Sequence, residues 1–60
     1  MMDTVYIVKV EQEFGPDDTY IADYDGVMYH NKRLALEIAR LAAEEPGALG
    51  AWVEEMEVVV

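Results

Sequence analysis

Few groups in this chain are suited to covalent or acid–base chemistry. There is no Cys and no Ser, so Thr4 and Thr19 are the only ordinary hydroxyl nucleophiles. Neither stands at a recognisable spacing from a His or Asp that would activate it. The single His, His30, directly precedes Asn31, where it reads as a helix-start residue rather than a base or a metal ligand. D23-Y24-D25-G26 has the opening of a calcium loop, but the bidentate Glu required at its twelfth position is replaced by Leu34. Asp17 and Asp18 read as ordinary turn carboxylates. Glu54 and Glu55 are adjacent in a strand-like run, so they point to opposite faces and cannot share a proton. The glycine-containing pieces D25-G26-V27 and P46-G47-A48-L49-G50 lack both the spacing and the Lys of a phosphate cradle. The expectation is a protein that is not an enzyme and uses no cofactor and no metal.

The number of carboxylates is the more informative signal. Thirteen Asp and Glu against four Lys and Arg give a net charge of −9 on 60 residues, a large self-repulsion for so small a body. That sign opposes direct binding to DNA, RNA or anionic lipid, which all require cations to replace counterions. It favours a basic partner, although charge of this kind also keeps a small protein soluble. Glu11 and Glu13, and likewise Glu55 and Glu57, are two apart in strand-like runs, about 6.5–7 Å on one face. If the first and last strands are neighbours, these pairs are candidates for one shared acidic face. Stacked like charges cost a sheet stability. Lys32 and Arg33 at the start of a helix, and Glu44 and Glu45 at its end, likewise oppose the helix dipole.

The elements that must position these groups follow from periodicity. T4-V-Y-I-V-K-V-E-Q-E-F14 is rich in β-branched and aromatic residues and alternates. Tyr6, Val8, Val10, Gln12 and Phe14 share one face; Val5, Ile7, Lys9, Glu11 and Glu13 share the other. G15-P16-D17-D18 is a hairpin turn. The return strand from Thr19 places Tyr20, Ala22 and Tyr24 opposite Thr19, Ile21 and Asp23. D25-G26 then makes either a second tight hairpin with V27-M28-Y29-H30 as a short strand, or a bulge that re-aims the chain, the second being preferred. Asn31 suits an N-cap, and Lys32 to Glu45 forms a helix whose buried stripe is Leu34, Ile38, Leu41 and Ala42, widened by Leu36, Ala39 and Ala43. Pro46 ends it. A last strand starts near Ala51. It either keeps Trp52, Met56, Val58 and Val60 inward with Glu54 as a misfit, or bulges at Glu54–Glu55 so that Val53 and Met56 turn inward and both carboxylates outward.

These pieces make one α+β domain over residues 1–60: a ββαβ chain whose three-stranded antiparallel sheet has order 2-1-3, with one helix packed on one face. The other face is left open, and Val5 and Ile7, with Ile21 and Val59, are exposed there unless something covers them. A homodimer is one way to do so. No apolar run approaches the roughly 18 residues of a membrane span. The N-terminus lacks the pattern of a signal peptide, and the expected setting is the cytoplasm.

Over its whole length, the chain resembles the very short, Cys-free, strongly acidic α+β inhibitors of host defence carried by phages, the anti-CRISPR and anti-restriction proteins that imitate DNA. The resemblance lies in size, charge and ββαβ order. It implies a non-catalytic protein that occupies the Lys/Arg-lined nucleic-acid channel of an effector complex in the host cell cytoplasm. Its contact residues would be Glu11, Glu13, Asp17, Asp18, Asp23, Asp25, Glu54, Glu55 and Glu57. A structural or assembly module of a phage or mobile element, docking through the open sheet face, is the alternative.

Overall fold

The computed structural model describes residues 1–60. Strand β1 spans Met2–Glu13, β2 Thr19–Tyr29, helix α1 Lys32–Ala43 and β3 Ala48–Val59. The sheet has order β2-β1-β3 with both pairings antiparallel, and α1 lies on one face. This is the α+β, ββαβ arrangement the sequence predicts.

Local chemistry accounts for each corner. The β1–β2 turn closes where the Phe14 N–H donates to the Asp18 carbonyl at 2.7 Å, with Gly15 at φ 112°, a region that only glycine enters without strain. At D25-G26 the chain bulges rather than turning back. Lys9 pairs with Asp23 and Ile7 with Met28, so four residues of β2, Tyr24 to Val27, stand opposite Val8 alone. The Asp25 carboxylate accepts the Val27 N–H at 3.1 Å and Gly26 takes φ 70°, which together hold the kink. Residues 27–29 therefore continue β2 and are not a separate strand. Asn31 caps α1 by accepting the Leu34 N–H at 3.2 Å.

Strand β3 departs from expectation at both of its uncertain points. It begins at Ala48, not Ala51, because the Glu13 N–H reaches the Gly47 carbonyl and extends the ladder toward the hairpin. Its bulge sits at Leu49, between the pairs Gln12–Ala48 and Glu11–Gly50, and not at Glu54–Glu55. From there the register runs unbroken to Met2–Val59. Directly opposed residues share a face, so Ala51, Val53, Glu55 and Glu57 lie on the helix side with Val10, Val8, Tyr6 and Thr4. Trp52, Glu54, Met56 and Val58 lie on the open face with Lys9, Ile7, Val5 and Asp3. The period of two is kept, but it is inverted from the expected inward set. Val60 lies beyond the strand and is exposed.

Only seven residues are buried: Val5, Ile7, Val8, Val10, Ala35, Ala39 and Ala42. Val8 and the three alanines form the core, flanked by Tyr6, Tyr24, Tyr29, Ile38, Ala51 and Val53. The helix therefore buries its i, i+4, i+7 alanine face and leaves Leu34, Leu36 and Leu41 exposed, contrary to the leucine stripe the sequence suggests. Small side chains let α1 sit close over the sheet while the three tyrosines fill its sides. Phe14 is exposed and packs edge-on against Tyr20, ring centroids 5.9 Å apart. Val5 and Ile7 are 4% and 9% exposed, so the single chain already covers them, contrary to expectation. They lie on the central strand, beside Met56, Met28 and Glu54. Val59 falls on the helix side, and of the expected open-face set only Ile21 is exposed there.

The molecule measures 45 × 19 × 13 Å with a radius of gyration of 12.6 Å, against about 10 Å for a compact 60-residue chain. Its surface of 4334 Å² likewise exceeds the roughly 4,000 Å² expected for its mass. This flattened, drawn-out shape sets its charges along extended faces.

Candidate functional site

No cavity opens in the molecule, and no three His, Cys, Asp or Glu side chains gather closely enough to hold a metal ion. No helix is long and apolar enough to cross a membrane. The charge of the surface is unevenly divided. Residues 32–45, the helix and the two residues that follow it, carry Lys32, Arg33 and Arg40 against Glu37, Glu44 and Glu45, and sum to zero. The strands and the hairpin hold the other ten carboxylates and one cation, Lys9, and so carry the whole charge of −9. Lys9 is ion-paired with its cross-strand neighbour Asp23. The sheet thus has no unpaired cation.

The open face brings Glu11, Glu13, Asp23 and Glu54 together with Asp3. Asp17 and Asp18 project from the turn at the hairpin end of the same sheet. Glu11 accepts the Thr19 hydroxyl at 3.0 Å. The Lys9 ammonium is held above its usual range chiefly by its hydrogen bond to Asp23, against a partial desolvation that pulls it down and with smaller help from the charges of Asp23 and Glu54. Interleaved with these groups are the exposed apolar side chains of Ile21, Met28, Trp52 and Met56. Their alignment with the carboxylates depends on the Leu49 and Asp25–Gly26 bulges, which sequence reasoning does not place in full. Asp3, absent from the expected contact set, shares the parity of Glu11 and Glu13. That parity was readable in the sequence.

Three of the nine predicted contact residues lie elsewhere. Glu55 and Glu57 occupy the helix side, so they do not share a face with Glu11 and Glu13: in register Glu55 opposes Tyr6 and Glu57 opposes Thr4, while Glu11 opposes Gly50. Asp25 sits in the bulge. All three are tied to hydroxyl groups. The Thr4 hydroxyl donates to Glu57 at 3.0 Å and the Tyr29 hydroxyl to Asp25. Glu55 lies beside Tyr6, and the Tyr24 hydroxyl donates to Glu45 at 3.0 Å. Each of these phenols is pushed above its ordinary pKa. For Tyr6 the cause is mainly desolvation, then the Glu55 charge; for Tyr24 and Tyr29 it is mainly the hydrogen bond to Glu45 and to Asp25. Asp25, Glu45 and Glu55 thus lie against the tyrosine rim of the core and Glu57 against Thr4, whereas on the open face and hairpin end Glu13, Asp17, Asp18 and Glu54 accept no side-chain donor.

Compared with family models, curated proteins and solved structures, the chain matches none.

Proposed function

We propose that this chain is a non-catalytic acidic inhibitor that occupies the basic nucleic-acid-binding surface of a host defence complex, in the manner of a DNA-mimicking anti-CRISPR protein. The observation that carries the reading is the charge division: all of the −9 resides on the strands and hairpin, with their one cation already neutralised. Carboxylates spaced along a strand at about 6.5–7 Å present negative charge to a channel that ordinarily receives phosphates at roughly 3.4 Å intervals per strand. Glu11, Glu13, Asp17, Asp18, Asp23 and Glu54 form the contact surface, and Asp25, Glu55 and Glu57 serve the fold. The partner is a protein; nucleic acid and anionic membrane are repelled.

The test is displacement of fluorescent duplex DNA from purified restriction and CRISPR effector complexes, repeated from low to high salt. Release of DNA that weakens steeply as salt rises supports the reading. Binding that is indifferent to salt, or that leaves DNA in place, sinks it.

The exposed Ile21, Met28, Trp52 and Met56 favour a second reading, an assembly module that docks on a protein partner through the open face. In that case Trp52→Ala and Met56→Ala abolish binding at every salt concentration, while Glu11→Gln and Glu13→Gln leave it intact.

A further inference from the structure

A second surface is distinguished by being neutral. On α1, Arg33, Glu37, Arg40 and Glu44 recur at i, i+4, i+7 and i+11 and form one exposed stripe away from the alanine face. None of the four makes an ion pair within the chain, whose only such contacts are Lys9–Asp23 and His30–Asp3. The order of the intrahelical pairs explains part of this: Arg precedes Glu in both i, i+4 steps, the weaker orientation. Between the stripe and the core lie Leu34 and Leu41, one heptad apart and 44% and 48% exposed.

Read backwards, the stripe is its own complement. If a second helix of the same sequence runs antiparallel, with Arg33 of one copy set against Glu44 of the other, Glu37 of the first falls directly against Arg40 of the second. Leu34 then comes within two residues of its Leu41. Two residues of helix are about 3 Å, well within side-chain reach. The two-fold axis repeats both pairs, giving four ion pairs around two Leu–Leu contacts. The same arrangement sets Lys32 and Arg33, which oppose the dipole of their own helix, near Glu44 and Glu45 at the C-terminus of the other.

We propose that α1 is a self-association surface on which a second copy of this chain docks helix to helix, antiparallel and two-fold symmetric. Charge selects this occupant and this face. The open sheet face presents Asp3, Glu11, Glu13, Asp23 and Glu54 against one paired Lys, so two copies meeting there repel. Helix-to-helix docking leaves both acidic faces outward. A pair of three-turn helices buries far less than the roughly 1,600 Å² of a standard interface, so the dimer is weak, with a dissociation constant in the range of roughly 10 µM to 1 mM.

Sedimentation equilibrium across that range tests it. The wild-type mass is expected to rise from 6.8 kDa toward twice that value, and to rise less as salt is added. Arg40→Glu and Glu37→Arg each turn two ion pairs into like-charge contacts and should weaken association by on the order of 10-fold or more. Mixed one to one, the two variants restore both pairs and associate as the wild type does. A wild-type chain that stays monomeric throughout overturns the proposal, as does either variant dimerising as well as wild type, or a mixture no better than its components. The wild type supplies an independent check by NMR dilution. Amide shifts must move at Leu34, Glu37 and Leu41, and shifts confined to Trp52 and Met56 would place the interface on the sheet and refute the proposal.

Discussion

The helix and the sheet of this protein use charge in opposite ways. Within α1 and the two residues after it, three cations and three carboxylates cancel, and a neutral four-residue stripe is left without partners. On the strands and hairpin, ten carboxylates face one cation. A sheet this acidic gains nothing in stability from its charge, since like charges at neighbouring positions repel. The fold limits the cost by tying half of the strand carboxylates to hydroxyls or to Lys9: Glu57 to Thr4, Asp25 to Tyr29, Glu11 to Thr19 and Asp23 to Lys9, with Glu55 beside Tyr6. Glu13, Asp17, Asp18 and Glu54 accept no side-chain donor at all. The difference teaches that the side of the sheet sets the use of charge: Asp25, Glu55 and Glu57 are held against the tyrosines and Thr4, while Glu11 and Asp23 each keep one donor and still face outward beside the donor-free Glu13 and Glu54.

The largest effect expected from probing this contrast lies in the helix. Ala39→Asp buries an unpaired carboxylate in a core of one valine and three alanines, at a cost of several kcal/mol. That is comparable to the roughly 3–9 kcal/mol total stability of a 60-residue domain, so the far-ultraviolet circular dichroism of the fold should be lost. Leu34→Asp, on the exposed flank of the same helix, should instead change stability by only about 0.5 kcal/mol. Equal damage from both would mean that the leucine flank packs on the sheet as closely as the alanine face.

A middle-sized effect concerns the helix start. Asn31→Ala removes the one side-chain cap of α1 and should cost about 1 kcal/mol in urea unfolding. A smaller, pH-dependent effect isolates the tyrosine rim. Tyr6, Tyr24 and Tyr29 are raised above 10.0, and Lys9 above 10.5. The folded state therefore keeps protons that the unfolded chain releases. The stabilisation is complete below about pH 10 and is lost as pH climbs through the higher folded values. The urea midpoint should hold steady from about pH 8 to about pH 9.5 and fall beyond about pH 10. Tyr24→Phe should make that fall shallower, and an unchanged profile would remove Tyr24 from the set.

How much of this was legible in the sequence depended on whether one rule or two acted at a position. The Asn31 cap, the 15–18 turn, and the alternation of β1 and early β2 each follow from local chemistry alone, and the 2-1-3 sheet follows from them. The helix faces were harder. Leu34 and Leu41 are more hydrophobic than Ala35 and Ala39, but the space beneath α1 was already taken by Tyr6, Tyr24 and Tyr29 on the strands. Close approach then favoured the alanines, a tertiary constraint invisible to periodicity. The faces of β3 turned on a single extra residue at Leu49, and a shift of one residue inverts every side chain after it. That inversion moved Glu55 and Glu57 off the face expected for them and brought Trp52 and Met56 onto the face of Glu11 and Glu54.

Two double variants that change net charge equally test most directly whether partner binding works through the outward carboxylates of the sheet. Glu11→Gln with Glu13→Gln, and Glu37→Gln with Glu44→Gln, each remove two negative charges, and each is titrated at low protein concentration as a competitor for a DNA-bound effector complex. The account predicts that the sheet variant loses displacement by on the order of 10-fold or more while the helix variant stays within about 3-fold of wild type. Equal losses, or a larger loss from the helix variant, would contradict it.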